Sequence, residues 1–457
     1  MEENAKRRKD FPKKAYFFLF FKAGHRLSLK IMEKDLVIPF AITNYRDIKK
    51  RFGIKEKNRR AHMYIIGKTG TGKSTLLLNM ISSDIKEGNG LALIEPHGDL
   101  SEKVLEYIPK ERTDDVIYFN PADLDYPVGF NLLENGALDK KYLIASSIIS
   151  VFKKIWYEFW GPRLEHILRN SILSLLEFKG STLLDLQRLL TDRGFRKDVI
   201  ENIKDPQIKD FWLNEFERYP LFLKSEAVSP ILNKVGQFLT SEPIRNIIGQ
   251  KESGFNLREI MDKGKIFIAN LSKGKIGEDT SRLLGSMLVT QIEISALSRA
   301  DKSEEERRPF YLYVDEFQNF LTLSFTNILS EARKYGLCLI LSHQYIEQLD
   351  ENIREAIFGN VGTIISFRIG ANDAKYLARE FYPTFSETDF INLPNYHIYL
   401  KLMINGVSSQ AFSATTLPPP ENKANFKEEI IKRSRIRYGR PKEEVERDIY
   451  LKTGLSS

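Results

Sequence analysis

The sequence predicts an α/β protein with a mostly parallel sheet, a small N-terminal β lobe and an all-helical insert. Three observations support this prediction. Short apolar runs alternate with helical stretches along much of the chain, which is typical of a parallel sheet covered on both faces. The series of runs has one long gap, and a glycine-rich loop joins the first strongly apolar run to a helix.

The N-terminal lobe is predicted at residues 1–44, where alternation of apolar and polar residues at 26–42 favours a pair of strands. Residues 45–60 follow as a basic connector, with eight basic and two acidic residues and a net charge of +6. Such a run favours either a solvated linker or an edge that faces a polyanion.

Seven apolar runs are the predicted core strands, beginning at residues 63, 90, 115, 265, 311, 337 and 363. They divide the core into a first part at 61–138 and a second part at 263–418. Between them, 139–262 has apolar residues at spacings of three and four, which predicts a helical insert rather than a very long loop. The basic C-terminal tail, 419–457, is predicted to form two exposed helices that break near Gly439.

Composition narrows the class of protein. The 457 residues are 42% hydrophobic and 28% charged, which favours a folded chain over a disordered one. A net charge of +8 is compatible with a polyanionic partner but defines no site. The single cysteine, Cys338, cannot form an intramolecular disulfide and fits a reducing compartment.

The longest aromatic run, at 15–21, is shorter than the roughly 20 apolar residues of a membrane-spanning helix. The sequence therefore predicts no intrinsic transmembrane segment and a cytoplasmic location. Attachment to the membrane surface through the basic stretch at 6–9 is the alternative.

The segment Gly67–Ser74, GKTGTGKS, matches the phosphate-binding pattern G-x-x-x-x-G-K-[ST] and lies between an apolar strand and a helix. Glycines let successive N–H groups wrap a phosphate, while Lys73 is expected to reach the β- and γ-phosphates and Ser74 to ligate magnesium. The predicted ligands are ATP and Mg²⁺, although the loop does not read the base. The predicted nucleotide-binding residues are Gly67, Lys68, Thr69, Gly70, Thr71, Gly72, Lys73, Ser74 and Thr75.

Polar side chains end two later strands. Asp315 and Glu316 follow an apolar run, so Asp315 is expected to hold the magnesium shell and Glu316 to act as general base. Gln344 ends the next strand and is the candidate γ-phosphate sensor, with a satisfied strand-end amide as the alternative. His343 is assigned a structural role.

Glu95, His97 and Asp99 cluster where another strand ends. Zinc is one interpretation. A turn in which Asp99 caps the following helix is favoured, because the chain has six histidines and no second cluster at ligand spacing.

Five stretches together resemble the FtsK/HerA branch of RecA-like ATPases, and within it the type IV secretion DNA-binding domain of TraD-like conjugative coupling proteins. They are GKTGTGKST, LIEPHGDL, DVIYFNPADLDYPVGFNLLE, YLYVDEFQNF and EARKYGLCLILSHQ. The resemblance spans residues 60–415. It implies a RecA-like P-loop NTPase core whose helical insert occupies the place of the all-α domain of coupling proteins.

The resemblance also implies a function: a homo-hexameric motor with a DNA-stimulated ATPase that moves DNA through its ring. Implied partners are DNA and a relaxase, nuclease or secretion-channel protein. One alternative is a secretion or pilus-assembly ATPase that acts on protein. A nucleotide switch that seldom hydrolyses is a third interpretation, which Glu316 disfavours because a pure switch needs no positioned base.

Ring ATPases of this type use an arginine from the neighbouring subunit to complete the site, because a guanidinium stabilises the charge of the transition state. Two arginines beside predicted strands are candidates. Arg333 lies in a stretch that resembles the RKxGL pattern of coupling proteins, and Arg368 follows another strand. The alternative is local pairing with carboxylates such as Glu331 or Asp373.

Overall fold

Eleven strands form the central sheet of the computed structural model, which describes residues 36–44, 46, 48–134, 140–322, 325–421 and 423–453. A separate two-stranded ladder pairs β11 with β12. The strands are β1 Val37–Thr43, β2 Arg51–Lys55, β3 Met63–Ile66, β4 Gly90–Glu95, β5 Val116–Phe119, β6 Ile266–Asn270, β7 Phe310–Asp315, β8 Leu337–His343, β9 Thr363–Ser366, β10 His397–Lys401, β11 Met403–Ile404, β12 Val407–Ser408 and β13 Phe412–Thr416.

The order of strands in the central sheet is β2-β1-β13-β10-β9-β3-β8-β7-β4-β6-β5. The seven strands from β9 to β5 are parallel, and the four from β2 to β10 pair antiparallel.

The described helices are α1 Glu56–Arg59, α2 Lys73–Lys86, α3 Asp99–Leu105, α4 Lys141–Ile155, α5 Pro162–Glu177, α6 Asp185–Thr191, α7 Arg193–Asn202, α8 Pro206–Asp210, α9 Leu221–Thr240, α10 Glu242–Ile248, α11 Leu257–Lys263, α12 Lys273–Ile276, α13 Glu278–Leu297, α14 Phe325–Glu331, α15 Glu351–Asn360, α16 Ala371–Glu380, α17 Glu387–Asn392, α18 Lys427–Tyr438 and α19 Lys442–Thr453.

Both faces of the parallel strands are buried, because successive side chains of a strand point to opposite faces. In β3, Tyr64 and Ile66 enter one hydrophobic core, and Met63 and Ile65 enter the other. Helix α2 packs in the second core and α13 in the first. All seven predicted core strands are present, and the predicted α/β class is confirmed.

The N-terminal strands differ from the sequence prediction. Strand β1 pairs with β13 and with β2, so both extend the central sheet, and β2 lies inside the segment predicted as a connector, 45–60. Part of the strand pair predicted at 26–42 lies outside the described residues. Unpaired strand edges explain the difference, because β1 completes a hydrogen-bond ladder on β13 and β2 completes one on β1.

Arg59 shows that the basic segment is not wholly a solvated surface. Its side chain is fully buried, and its guanidinium donates to the two carboxylate oxygens of Asp84 at 2.6 and 2.8 Å. It also donates to the Tyr313 hydroxyl at 2.7 Å and lies 3.7 Å from the centroid of the Tyr311 ring. This buried charge pair ties the segment to α2 and β7.

Helices α4 to α11 lie between β5 and β6, and the described residues there include no strand. Trp212 is buried at the centre of this helical region, and its indole N–H donates to the Ser174 hydroxyl at 2.7 Å. The helical content agrees with the sequence pattern, while the proposed boundaries at 139 and 262 stay predictions. In the described part of the chain, no helix is long and apolar enough to cross a bilayer.

The C-terminal segment contains two helices separated at Gly439, but they pack against the body of the protein instead of being freely exposed. Ser434 accepts a hydrogen bond from the Tyr118 N–H of edge strand β5 at 2.9 Å. Val445 and Ile449 are buried, and the Lys452 ammonium donates to Asp185 at 2.5 Å. Apolar side chains between the charges account for this docking.

Many cations of this C-terminal segment also have carboxylate partners. The pairs are Lys423–Glu106, Lys427–Glu102, Arg433–Asp114, Arg435–Asp123, Arg440–Asp448, Lys442–Glu242 and Lys452–Asp185. Because these cations already have carboxylate partners within the protein, the segment offers less positive charge to an external polyanion.

Glu293 of α13 is a buried carboxyl group without a hydrogen-bond partner for Oε2 in the described structure. It lines a cavity of about 170 Å³ together with Asn327 and Glu331. Burial, and then the nearby charge of Glu331, raise the pKa of Glu293 to about 8. The carboxyl group is therefore protonated at neutral pH.

We expect Glu293→Gln to stabilise the protein at alkaline pH. The wild-type free energy of unfolding should fall as pH rises from about 4.5 to about 8, because the folded chain keeps a proton that the unfolded chain releases. At pH 8.5 the variant should exceed wild type by on the order of 2 kcal/mol, and the difference should shrink toward pH 5. Urea denaturation at both pH values measures it.

Glu278→Gln, at the exposed start of the same helix, is the control and should give no such pH-dependent difference. Equal stability of Glu293→Gln and wild type at pH 8.5 would contradict the assignment of a raised pKa.

Candidate nucleotide site

The candidate site lies where β3, β8 and β7 end side by side. In the parallel register, Ile66 pairs with His343, and Asp315 pairs with Ser342. The loop after β3, the carboxylates after β7 and the polar end of β8 therefore meet at one edge of the sheet. Ligands of open parallel sheets bind at this carboxyl edge.

The loop at 67–75 has the conformation that its glycines were expected to permit. Gly70 and Gly72 have φ angles of +76° and +121°, in the region that favours glycine. The Lys73 ammonium donates to the carbonyls of Gly67 at 2.5 Å and Lys68 at 3.3 Å. Burial lowers the pKa of Lys73, while the charges of Glu316 and Asp315 oppose that shift. The lysine thus lies inside the loop, facing both carboxylates.

Asp315 and Glu316 are 5% and 6% exposed. Glu316 has a φ of +47°, an uncommon backbone conformation for a residue with a side chain, and its N–H donates to Asp315 Oδ1 at 3.1 Å. Burial, and then the charge of Glu316, raise the pKa of Asp315 to about 7, while Lys73 opposes this. A divalent cation would offset the repulsion, so Asp315 and the exposed Ser74 hydroxyl fit the predicted magnesium role.

Gln344 bridges the phosphate-binding loop to Glu316, the predicted general base. Its amide donates to Glu316 Oε1 at 2.6 Å, and its own oxygen accepts from the Thr69 hydroxyl at 2.9 Å. Gln318 donates to the other Glu316 oxygen at 2.8 Å. The structure brings Gln344 to the site, and its sensing role stays a prediction. The sequence motifs did not mark Gln318, although an amide two residues after the predicted general base was an available signal.

The two candidate arginines lie at opposite ends of the parallel strands. Arg333 precedes β8, at the edge away from the loop, and its exposed guanidinium makes no hydrogen bond or ion pair within the described ranges. Arg368 lies beside its own loop, where its carbonyl accepts from the Lys68 N–H at 2.9 Å and its guanidinium donates to Asn395 at 2.9 Å. The alternative of local pairing with Glu331 or Asp373 is not observed for either arginine among the described residues.

The turn after β4 is capped by Glu95 and not by Asp99, so the cap prediction is wrong. Glu95 accepts from the N–H groups of His97 and Gly98, both at 2.7 Å, and from the Ser101 hydroxyl at 3.1 Å. Asp99 is the first residue of α3 and makes no side-chain cap. The longer Glu95 side chain reaches from the strand end over the turn that follows, which the local pattern did not indicate.

His343 lies beneath the loop, with Nε2 2.5 Å from the Tyr64 hydroxyl. Burial, and then the charge of Lys73, lower the pKa of His343 to about 3, so the ring is neutral. This buried position fits the structural role predicted for it.

The glycine loop, the strand order and the carboxylates at the neighbouring strand end define a RecA-like P-loop fold. Residues 51–381 match the family of the type IV secretion-system coupling protein DNA-binding domain, and the chain belongs to that family. The resemblance predicted from the sequence motifs is confirmed.

The type 4 coupling protein DotL of Legionella pneumophila is 21% identical over 356 residues, covering 65% of this chain and 45% of DotL. The chain thus spans less than half the length of that relative. The plasmid coupling protein TrwB, solved with ADP and Mg²⁺, has a TM-score of 0.59 at 17% identity, covering 82% of this chain and 89% of that one. VirB4 of Thermoanaerobacter pseudethanolicus has a TM-score of 0.51 at 12% identity, covering 85% and 98%. At these identities, the structural likenesses show a shared fold.

Asp315→Asn is expected to raise the free energy of unfolding by about 1–2 kcal/mol at pH 8 without divalent ions, because it removes a buried charge beside Glu316. Chemical denaturation in a chelating buffer measures the change.

Glu316→Gln is the matched control and should not stabilise the protein. Both Glu316 oxygens accept from amide N–H groups, and a glutamine would replace one acceptor with a donor. A loss of stability in Asp315→Asn would show that the two charges do not oppose folding.

Proposed function

We propose that the protein is an ATP-hydrolysing DNA translocase that couples hydrolysis to the movement of DNA through a ring. The observation that carries the proposal is the meeting of Lys73, Asp315 and Glu316 at one sheet edge around the phosphate-binding loop. The family match supports it, and so does the shared fold with TrwB, which has been solved with ADP and Mg²⁺.

In the proposed reaction, N–H groups of the loop bind the phosphates and Lys73 exchanges its loop carbonyls for the γ-phosphate. Bound magnesium, held by Ser74 and Asp315, would neutralise charge as the terminal bond breaks. Water attacks the γ-phosphorus, ADP leaves, and the water proton passes to Glu316. Gln344 holds Glu316 to the loop, so it is placed to respond when the γ-phosphate is lost.

We further propose a homo-hexameric ring in which Arg333 acts on a neighbour's site. Its guanidinium is exposed and unpaired in the described part of the chain, and it lies far along the strand from its own loop. Arg368 is disfavoured in this role, because its backbone is bonded to its own loop.

The alternative is a secretion or pilus-assembly ATPase of the same superfamily that acts on protein. Pairing of the C-terminal cations with internal carboxylates favours it, because less positive charge is left for DNA. The exposed run Lys49, Lys50 and Arg51 supports DNA as the substrate, since these side chains pair with no carboxylate in the described part of the chain.

The proposal places the protein in the cytoplasm, attached peripherally to membrane machinery, with a relaxase, nuclease or channel protein as partner.

Subunit mixing tests the active site and the ring together. Lys73→Ala and Arg333→Ala are each expected to be inactive alone, because one lacks the cation of its own loop and the other lacks the cation supplied to its neighbour. Mixed rings should regain part of the ATPase activity, since some interfaces join an intact loop to an intact arginine. Phosphate release measures turnover.

The matched control mixes Lys73→Ala with Glu316→Gln. Both lesions lie in the same half of the site, so every interface stays defective and no activity should return. Two results would contradict the assignment of Arg333 to a neighbour's site. One is a return of ATPase activity in the control pair, and the other is no return in the Arg333 pair although the rings are shown to be mixed.

A salt series separates DNA from protein as the substrate. DNA should stimulate the ATPase, and its binding should weaken as salt rises, because phosphate contacts release counterions. Replacing Lys49, Lys50 and Arg51 by alanine should lower the log–log slope by about 2. Fluorescence anisotropy with a labelled oligonucleotide measures this slope.

The control replaces Lys427, Arg433 and Arg440 by alanine. It makes the same change in net charge but removes cations that already have internal partners, so the slope should stay unchanged. Salt-independent binding, or equal stimulation by an uncharged polymer, would favour the protein-acting alternative.

A further inference from the structure

Tyr396 occupies a strained position beside the phosphate-binding loop. Its φ is +66°, which is unfavourable for a bulky residue, and its side chain is 51% exposed. Its N–H donates to the Thr71 carbonyl at 2.8 Å, and its own carbonyl accepts from the Thr416 N–H at 2.8 Å. These two bonds fix the backbone between the loop and the end of β13.

The ring of Tyr396 lies over the start of α2. A Cβ added at Gly72 would lie 2.9 Å from ring atom Cδ1. Helix positions three and four apart share a face, so the half-buried Thr75 and then Asn79 follow Gly72 along this side. The Asn79 amide donates to the carbonyls of Leu417 and Pro418 at 3.0 Å each. Tyr396 and the segment at 416–418 therefore lie against the same side of α2, with Tyr396 at the end nearest the loop.

A nucleotide whose phosphates occupy the loop must lead its sugar and base out past the first turn of α2. The contacts of the loop are backbone N–H groups and Lys73, which read phosphate and not base. A half-exposed aromatic ring on a backbone held by two hydrogen bonds offers the missing chemistry, because every nucleobase presents a flat π-face on which such a ring can stack.

Arg368 supports this corner of the site. Its guanidinium donates to the side chain of Asn395, the residue before Tyr396, and its carbonyl accepts from the Lys68 N–H. Arg368 thus ties the segment that carries the ring to the loop that binds phosphate, as a positioning residue of its own subunit.

We propose that Tyr396 forms the base subsite of the nucleotide site and stacks on the nucleobase of the bound triphosphate. This inference rests on the proposed function. It assigns recognition of the base to the segment between α17 and β10, which carries no phosphate-binding pattern.

The test compares a ligand that has a base with one that lacks it. ATP and inorganic tripolyphosphate are titrated by calorimetry, with Mg²⁺, into the full chain and its variants. Tyr396→Ala should weaken ATP binding about five- to one-hundred-fold, the range of aromatic–base stacking, and leave tripolyphosphate affinity unchanged. Tyr396→Phe should bind ATP within about twofold of wild type, because the ring is kept.

Alanine and phenylalanine both carry a Cβ, so the backbone strain at this φ is common to both variants. Tyr157→Ala, which removes a 78% exposed tyrosine from the helical region, is the control and should change neither affinity. Equal weakening of ATP and tripolyphosphate by Tyr396→Ala would overturn the inference and assign the ring to support of the loop. No change in either affinity would also overturn it.

Failure of the proposed function gives a different result. If wild type bound neither ligand, or if Lys73→Ala left both affinities unchanged, the nucleotide site itself would be wrong and the base subsite would fall with it. A wild-type chain that binds both ligands, with an alanine variant that loses neither selectively, would refute the subsite alone.

Discussion

The pairing of β8 with β3 on one side and β7 on the other is the constraint on which the site depends. Each strand is mostly apolar because both faces of the sheet are covered, and the carboxylates and amides of the site lie where the strands end. The parallel register then places the carboxyl ends of these three strands side by side. A one-residue slip of β8 would turn its side chains to the opposite face and remove Gln344 from Glu316.

Concentrating charge at that edge opposes folding. Asp315 is a buried carboxyl group beside a second carboxylate, Glu316 has an unfavourable backbone angle, and the Lys73 ammonium is largely desolvated. The surrounding structure holds them in place: apolar strands fill the interior, and the amides of Gln318 and Gln344 fix both oxygens of Glu316. Such a site is suited to bind a ligand whose charges offset its own, with a cation beside the two carboxylates and phosphate beside the Lys73 ammonium.

The sequence could predict the features that come from local pattern. The loop at 67–75 and the strand-end carboxylates follow from short motifs, and the seven core strands follow from uninterrupted apolar runs. Features that depend on distant partners could not be predicted. Strand β2 has the pattern of a charged connector until the free edge of β1 is known. The cap of the turn before α3 comes from Glu95 because its side chain reaches over the turn that follows β4.

Tyr396 illustrates the same limit, since no motif marks it and only the folded chain brings it against Gly72.

Charge runs were the least informative part of the sequence. Arg59 lies in the most basic segment yet is fully buried against Asp84, and several cations near the C terminus pair with acids of the core and the helical region. Lys49, Lys50 and Arg51, at the start of β2, are exposed and pair with no carboxylate in the described part of the chain. That strand joins β1, and β1 joins β13, whose last residue, Thr416, holds the carbonyl of Tyr396. A polyanion at the β2 edge would therefore be two strand pairings away from the nucleotide loop. The hydrogen bonds of Tyr396 with Thr416 and Thr71 complete this connection.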